Sequence, residues 1–175
     1  LVGLQTALVV MALVPAGVAL VWLWRTPIVD TAAEAETEAT ADIRALLEAV
    51  ALTAPLPPQG RELLARTAVR ETLDAGAVLL RQGDPAEDLY LLAAGTVEVF
   101  DERGERRLIN TVTAPDHLGE IGVVHRRPRT ATVVAVGPVQ VWRISGATFL
   151  DATAAQPFSS SLVGVIDARL ARASW

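Results

Sequence analysis

Residues 118–132 read LGEIGVVHRRPRTAT and hold a carboxylate and a guanidinium nine positions apart, at Glu120 and Arg129. A guanidinium can hold a phosphate through two parallel hydrogen bonds, which asks for Arg more specifically than for a generic cation. Glu120 cannot serve the same anion, because a carboxylate repels it. A hydroxyl donor such as a sugar 2′-OH is its natural partner. Gly119 and Glu120 lead into Ile121, Gly122, Val123 and Val124, a brief helical turn whose free N–H groups can point at an anion. Arg129 stands just before a strand expected to begin at Thr130. One anion clamp and one hydroxyl acceptor near a helix start point to a small phosphorylated sugar ligand.

Other chemistries find less support. The chain has no Cys and no Lys, so thiolate catalysis, thiolate metal sites and a phosphate loop with its lysine are excluded. No GxSxG is present, and His117 and His125 lack the further ligands of a metal site. The reading is a binding domain, not an enzyme, with no metal and no cofactor. A formal charge of −5 over 175 residues argues against a broad nucleic-acid face. Within that acidic surface Arg126, Arg127 and Arg129 form one local positive spot, with His125, Arg126 and Arg127 as a solvated rim.

The elements that must position these residues follow from periodicity. From Asp42, a plausible cap, IRALLEAVAL brings Ile43, Leu46, Leu47 and Val50 onto one helical face. A second short helix follows Pro57–Pro58, with Leu63 and Leu64 inward and Arg61, Glu62 and Arg66 outward. After Val69 the period shortens. Segments 71–73, 77–82, 88–95, 96–100, 107–112, 130–136 and 139–144 read as seven short strands parted by Gly- and Pro-marked turns. That is an all-β sandwich or roll. Trp142, alternating with Val141 and Arg143, is expected in core or edge packing. Beyond Ile144 the chain turns helical again, and residues 157–173 place Phe158, Leu162, Ile166 and Leu170 on one stripe.

The first 24 residues carry no charge, and Ala7 to Trp24 is an 18-residue run without a polar side chain. Such a run is long enough for a transmembrane helix, with Trp22, Trp24 and Arg25 at an interface. Residues 1–25 are expected to be that helix, either the last of several or the sole one. Residues 26–42, with Asp30, Glu34, Glu36, Glu38 and Asp42 and no base, read as an acidic linker.

The stretches AGAVLLRQGDPAEDLYLLAAGTVEVF (75–100) and HLGEIGVVHRRPRTATV (117–133) resemble a cyclic nucleotide-binding domain of the cAMP receptor protein and kinase regulatory subunit type. The resemblance runs from about Leu46 to Leu170. It implies a mainly β fold, an eight-stranded jelly-roll-like β-roll with flanking helices over residues 43–175, and cAMP or cGMP as ligand. It also implies the site residues Gly119, Glu120, Ile121, Gly122, Arg129 and Thr130. Gly119 would approach the ligand through its backbone, Glu120 would take the ribose 2′-hydroxyl, and Arg129 the cyclic phosphate. A Thr130 hydroxyl can reach the phosphate or a syn guanine, which suits either nucleotide. Gly83 and Gly95 match turn glycines of the roll. Leu118 stands where Phe is common, Pro115 where Gly often precedes the aspartate, and Thr53 where the N-terminal helix usually has Phe. Gly122 replaces the usual Ala or Ser and is expected to loosen the short helix by about 0.5–1 kcal/mol.

A domain of this kind behind a membrane helix resembles the sensor of a bacterial major facilitator-type transporter. The implied place is the cell membrane, with the domain in the cytoplasm. The implied partners are the cyclic nucleotide, membrane helices of the same protein and a second copy through the C-terminal helix, but not nucleic acid. The alternatives are the regulatory domain of a cyclic nucleotide-gated channel, a single-pass sensor, or a degenerate domain serving as an interaction module.

Overall fold

The structure, a computed structural model, describes residues 38–154 and residue 164. The transmembrane helix expected over 1–25, the linker up to residue 37 and the stripe expected over 157–173 lie outside the described residues. Among those described, no helix is long and apolar enough to cross a membrane. The chain divides into two compact units, Leu1–Ala41 and Asp42–Trp175, and the site lies in the second.

Helix α1 is helical over 38–49. Ile43, Leu46, Leu47 and Val50 are all buried, as their spacing predicts. Asp42 is not a cap but an interior helical residue, and residues 38–42 of the expected linker belong to the helix. Glu38, Ala39, Thr40 and Ala41 include no Gly or Pro to stop propagation toward the N-terminus. In the turn that follows, Thr53 is fully buried and its hydroxyl donates to Leu47 O at 2.8 Å. That bond replaces bulk with a polar closure of the helix end.

Helix α2 spans Pro58–Thr67, with the fixed φ of Pro58 suited to its first turn. Leu64 is buried but Leu63 is 40% exposed, contrary to the expectation that both face inward. The buried set Gly60, Leu64 and Ala65 defines a face that Leu63 falls outside. Gly60 lies so close to Ala152 that a Cβ would stand 2.9 Å from its carbonyl oxygen.

Eight strands follow: β1 Val69–Leu73, β2 Val78–Leu80, β3 Asp88–Ala94, β4 Thr96–Asp101, β5 Arg107–Thr113, β6 Asp116–Leu118, β7 Thr132–Ala135 and β8 Val139–Ser145. They form two four-stranded sheets ordered β1-β8-β3-β6 and β2-β7-β4-β5, with every recorded pairing antiparallel. Leu80, Leu92, Val97, Val112, Leu118 and Val133 share the core between them. The eighth strand is β6, which periodicity missed. It is three residues long with two polar members, and it exists because Tyr90, Leu91 and Leu92 of β3 pair with it. β7 begins at Thr132, not Thr130, so residues 130 and 131 remain in the loop. Helix α3 is Glu120–Val124 and helix α4 is Gly146–Ala154, anchored by the buried Phe149. Trp142 is buried in β8, with Arg70 above its ring.

Candidate functional site

Strand β6 delivers the chain to Gly119, which caps α3 with φ of 82°, a left-handed conformation that favours glycine. A Cβ there would also stand 2.5 Å from Arg129 Nη1. Glycine is therefore required twice, once by its backbone and once by the guanidinium packed against it.

Arg129 is only 8% exposed. Its Nη1 donates to Gly119 O at 2.9 Å and its Nη2 to Asp88 O at 2.7 Å. Its backbone is held as well: Arg129 N donates to Asp84 O, and Gly83 N donates to Arg129 O, each at 2.9 Å. Burial pulls the guanidinium below its usual pKa, opposed by the nearby Tyr90, Asp88 and Glu120. Arginine still keeps its charge at neutral pH. Two of about five guanidinium N–H groups go to these carbonyls, so donors remain for an anion. Burial likewise pushes the Tyr90 hydroxyl upward, helped by the carboxylates of Asp88 and Glu71.

Glu120 opens α3 and is 2% exposed. His117 Nε2 lies 3.8 Å from its Oε1, while His117 Nδ1 lies 3.0 Å from Asp116 Oδ1. His117 is thus a core histidine wedged between two carboxylates. Gly122 is no mere loosening of α3. A Cβ on it would lie 2.4 Å from Ala86 Cβ and 3.0 Å from Arg127 O, so Ala86 already fills the space of the missing side chain.

Gly119, Glu120, Ile121, Gly122, Arg129 and Thr130 all line one cavity of about 110 Å³, part of a concavity of about 760 Å³ that includes open solvent. The structure brings all six expected site residues together. Apolar side chains from both sheets, including Leu80, Val99, Val112 and Leu118, line it too. Arg126 and Arg127 do not join Arg129 there. They are exposed and border a separate concavity with Pro85, Ala86, Gly146 and Leu150. The reason is local: α3 stops at His125, and Arg126 takes φ of 50°, so the chain turns before Arg129 returns to the cavity. The expected positive spot is divided between two surfaces.

The sequence reading missed Arg103, Ile109 and Asn110, which also line the cavity. Arg103 is gripped by Asp101, whose Oδ2 accepts from Nη2 at 2.8 Å. That guanidinium holds the Asp101 carboxyl well below the usual carboxylate range. Gln82 Nε2 donates to the same carboxylate, Gln82 N donates to Thr132 Oγ1, and Thr132 Oγ1 donates to Glu102 Oε2 at 2.7 Å. The β4–β5 turn is thereby tied to β2 and β7.

Residues 70–156 match the profile of the family described as cyclic nucleotide-binding domain. The chain is 32% identical over 107 residues to a cAMP-dependent protein kinase regulatory subunit of Blastocladiella emersonii, covering 60% of this chain and 27% of that one. It is 30% identical over 133 residues to an uncharacterized NTE family protein of Mycobacterium tuberculosis, covering 76% and 22%. The chain thus spans about a quarter of the length of these curated relatives. Among solved structures it is similar to the sensor domain of the transcriptional regulator DNR from Pseudomonas aeruginosa. That match has a TM-score of 0.64 and 27% identity, and covers 73% of this chain and 92% of that chain. It is also similar to the regulatory domain of Toxoplasma gondii PKA with cAMP, with a TM-score of 0.61, 25% identity and coverage of 64% and 43%. The fold is a β-roll of two four-stranded sheets, with a cavity whose wall carries a buried carboxylate and a buried guanidinium. Residues 70–156 belong to the cyclic nucleotide-binding domain family, of the type found in kinase regulatory subunits.

Proposed function

We propose that this domain binds cAMP or cGMP between the roll and α3, leaves it chemically unaltered, and regulates a membrane transporter attached through residues 1–42. The observation that supports it most is the pair of buried charges, Glu120 and Arg129, on the wall of one cavity. Arg129 takes the cyclic phosphate with the donors left over from Gly119 O and Asp88 O, and Glu120 accepts the ribose 2′-hydroxyl. Drawing Arg129 toward the phosphate pulls on Gly119 and Asp88, and so on α3 and β3. That strain is passed to the flanking helices and onward to a membrane part in the same protein, with the domain on the cytoplasmic side. The transporter reading rests on the apolar run Ala7–Trp24.

Calorimetric titration of the full chain with each nucleotide tests the binding. Saturable heat with Kd below about 1 mM is expected, and Arg129→Ala should weaken it by about 2–4 kcal/mol because a phosphate is left without its partner. A thermal melt of the variant confirms that it is folded. Absence of saturable heat in folded wild-type protein refutes the function, and unchanged affinity in the variant refutes the site.

A further inference from the structure

One buried titratable side chain beside the cavity takes no part in the anion clamp. His117 is 3% exposed in β6, an edge strand of its sheet. Its neighbour Leu118 lines the cavity and His117 does not, in keeping with the alternation of a strand. A ligand in the cavity therefore does not touch the imidazole. The cross-strand partner of His117 in β3 is the fully buried Leu91, so the ring is packed and not solvated.

Both ring nitrogens face carboxylates. Nδ1 lies 3.0 Å from Asp116 Oδ1, an oxygen that also accepts from His117 N at 2.8 Å. This double hold sets the direction of the ring and sends Nε2 toward Glu120, whose Oε1 lies 3.8 Å away. That separation is too long for a hydrogen bond, so the attraction across it is electrostatic. The Asp116 side chain is 31% exposed and that of Glu120 only 2%, so water serves the first carboxylate and the imidazole matters most to the second.

A buried carboxylate that must meet a ligand hydroxyl needs a fixed direction as well as a partner. Burial lowers the pKa of the Arg129 guanidinium, and the charge of Glu120 is among those that oppose this, so Glu120 is also drawn to Arg129. Swung onto Arg129, it would occupy donors that the phosphate needs. A hold on Oε1 from outside the cavity prevents that swing and leaves Oε2 for the ligand.

We propose that His117 is a positioning residue for ribose recognition, holding Glu120 Oε1 so that Oε2 meets the 2′-hydroxyl of the nucleotide; this rests on the cyclic nucleotide reading of the site. Calorimetric titration of the full chain with cAMP and 2′-deoxy-cAMP isolates the hydroxyl, because the two ligands differ only there. Wild type is expected to bind cAMP about tenfold or more tightly, as a hydrogen bond to a charged group implies. His117→Asn sets its amide at the depth of Nδ1, keeping a donor for Asp116 and losing reach to Glu120, so the ratio should fall to about twofold or less. His117→Gln sets its amide at the depth of Nε2 and should retain most of the ratio. A merely structural loosening weakens both ligands by one factor and leaves the ratio unchanged. In wild type, the NMR signal of the His117 imidazole, one of two in the chain, should differ between the two complexes. A ratio kept in His117→Asn, a ratio lost equally in both variants or, where the variants do not fold, an identical imidazole signal in both complexes overturns the positioning role and leaves the nucleotide site standing. Equal binding of the two ligands by wild type removes the hydroxyl from Glu120 and the positioning role with it. No binding of either overturns the site and this inference together.

Discussion

Replacing Gly122 by alanine adds one methyl group to α3 and sets two effects of opposite sign against each other. Helix propensity favours alanine by about 0.5–1 kcal/mol in a helix interior. Packing opposes it, since the new Cβ would stand 2.4 Å from Ala86 Cβ and 3.0 Å from Arg127 O. Carbon atoms rest at about 3.5–4.0 Å, so the first contact overlaps by more than 1 Å. Neither neighbour can swing away: Ala86 has no rotamer, and the Arg127 oxygen is backbone whose own N–H donates to Gly122 O at 3.0 Å. Overpacking costs about 1–3 kcal/mol, and propensity counts for little in so short a helix. The net expectation is a destabilisation of about 1–2 kcal/mol, a fall in Tm of about 4–8 °C for a domain of this size. Thermal unfolding of Gly122→Ala, Ala86→Gly and the double variant measures it as a double-mutant cycle. Ala86→Gly removes the clashing methyl, so the double variant should recover most of the loss and show favourable coupling of about 1 kcal/mol or more. A Gly122→Ala protein as stable as wild type, or a double variant no better than the sum of the singles, refutes the reasoning.

Thr132 is 2% exposed and accepts from Gln82 N while donating to Glu102 Oε2. Thr132→Val keeps the shape but strands the Gln82 N–H, and a loss of about 1–3 kcal/mol is expected in urea unfolding; an unchanged midpoint would show the network to be idle. Glu62 accepts from Arg44 and Arg66, and these guanidiniums hold its carboxyl at about 2 instead of 4.5. A folded pKa below the unfolded value means stabilisation that is complete above about pH 4.5 and lost as the pH falls through about 2. The pair is exposed, so the effect is small. Subtracting the urea midpoints of Glu62→Gln from those of wild type across pH 6 to 2 should leave a difference that shrinks only in that window. A flat difference would remove the ion pair from the account.

What could be read in advance divides along the range of the interactions involved. Strands β3, β4, β5 and β8 announce themselves because alternation and turn glycines are local, and so does the face of α1 built on Ile43, Leu47 and Val50. β6 carries no such mark: Asp116, His117 and Leu118 become a strand only because β3 lies beside them. Asp42 looks like a cap and so marks the wrong start for α1, whereas residues 38–41 before it are already helical. At the site, Glu120 and Arg129 stand nine positions apart in one segment, and their types together with the motif around them single them out in advance as residues of one cavity. Their neighbours in space were beyond reach. Arg126 and Arg127 border a different concavity from Arg129, with a positive φ at Arg126 where the chain turns, and a run of arginines in sequence shows none of this. Gly122 misled for a related reason, since the atom that demands a glycine belongs to Ala86, in the connection between β2 and β3. The lining from β5 is the furthest case. Asn110 reaches the cavity through a one-residue slip against β4, and a slip leaves no trace in composition. The charged part of the cavity lining is therefore written in one contiguous segment, and another part of it is written in the register of two strands.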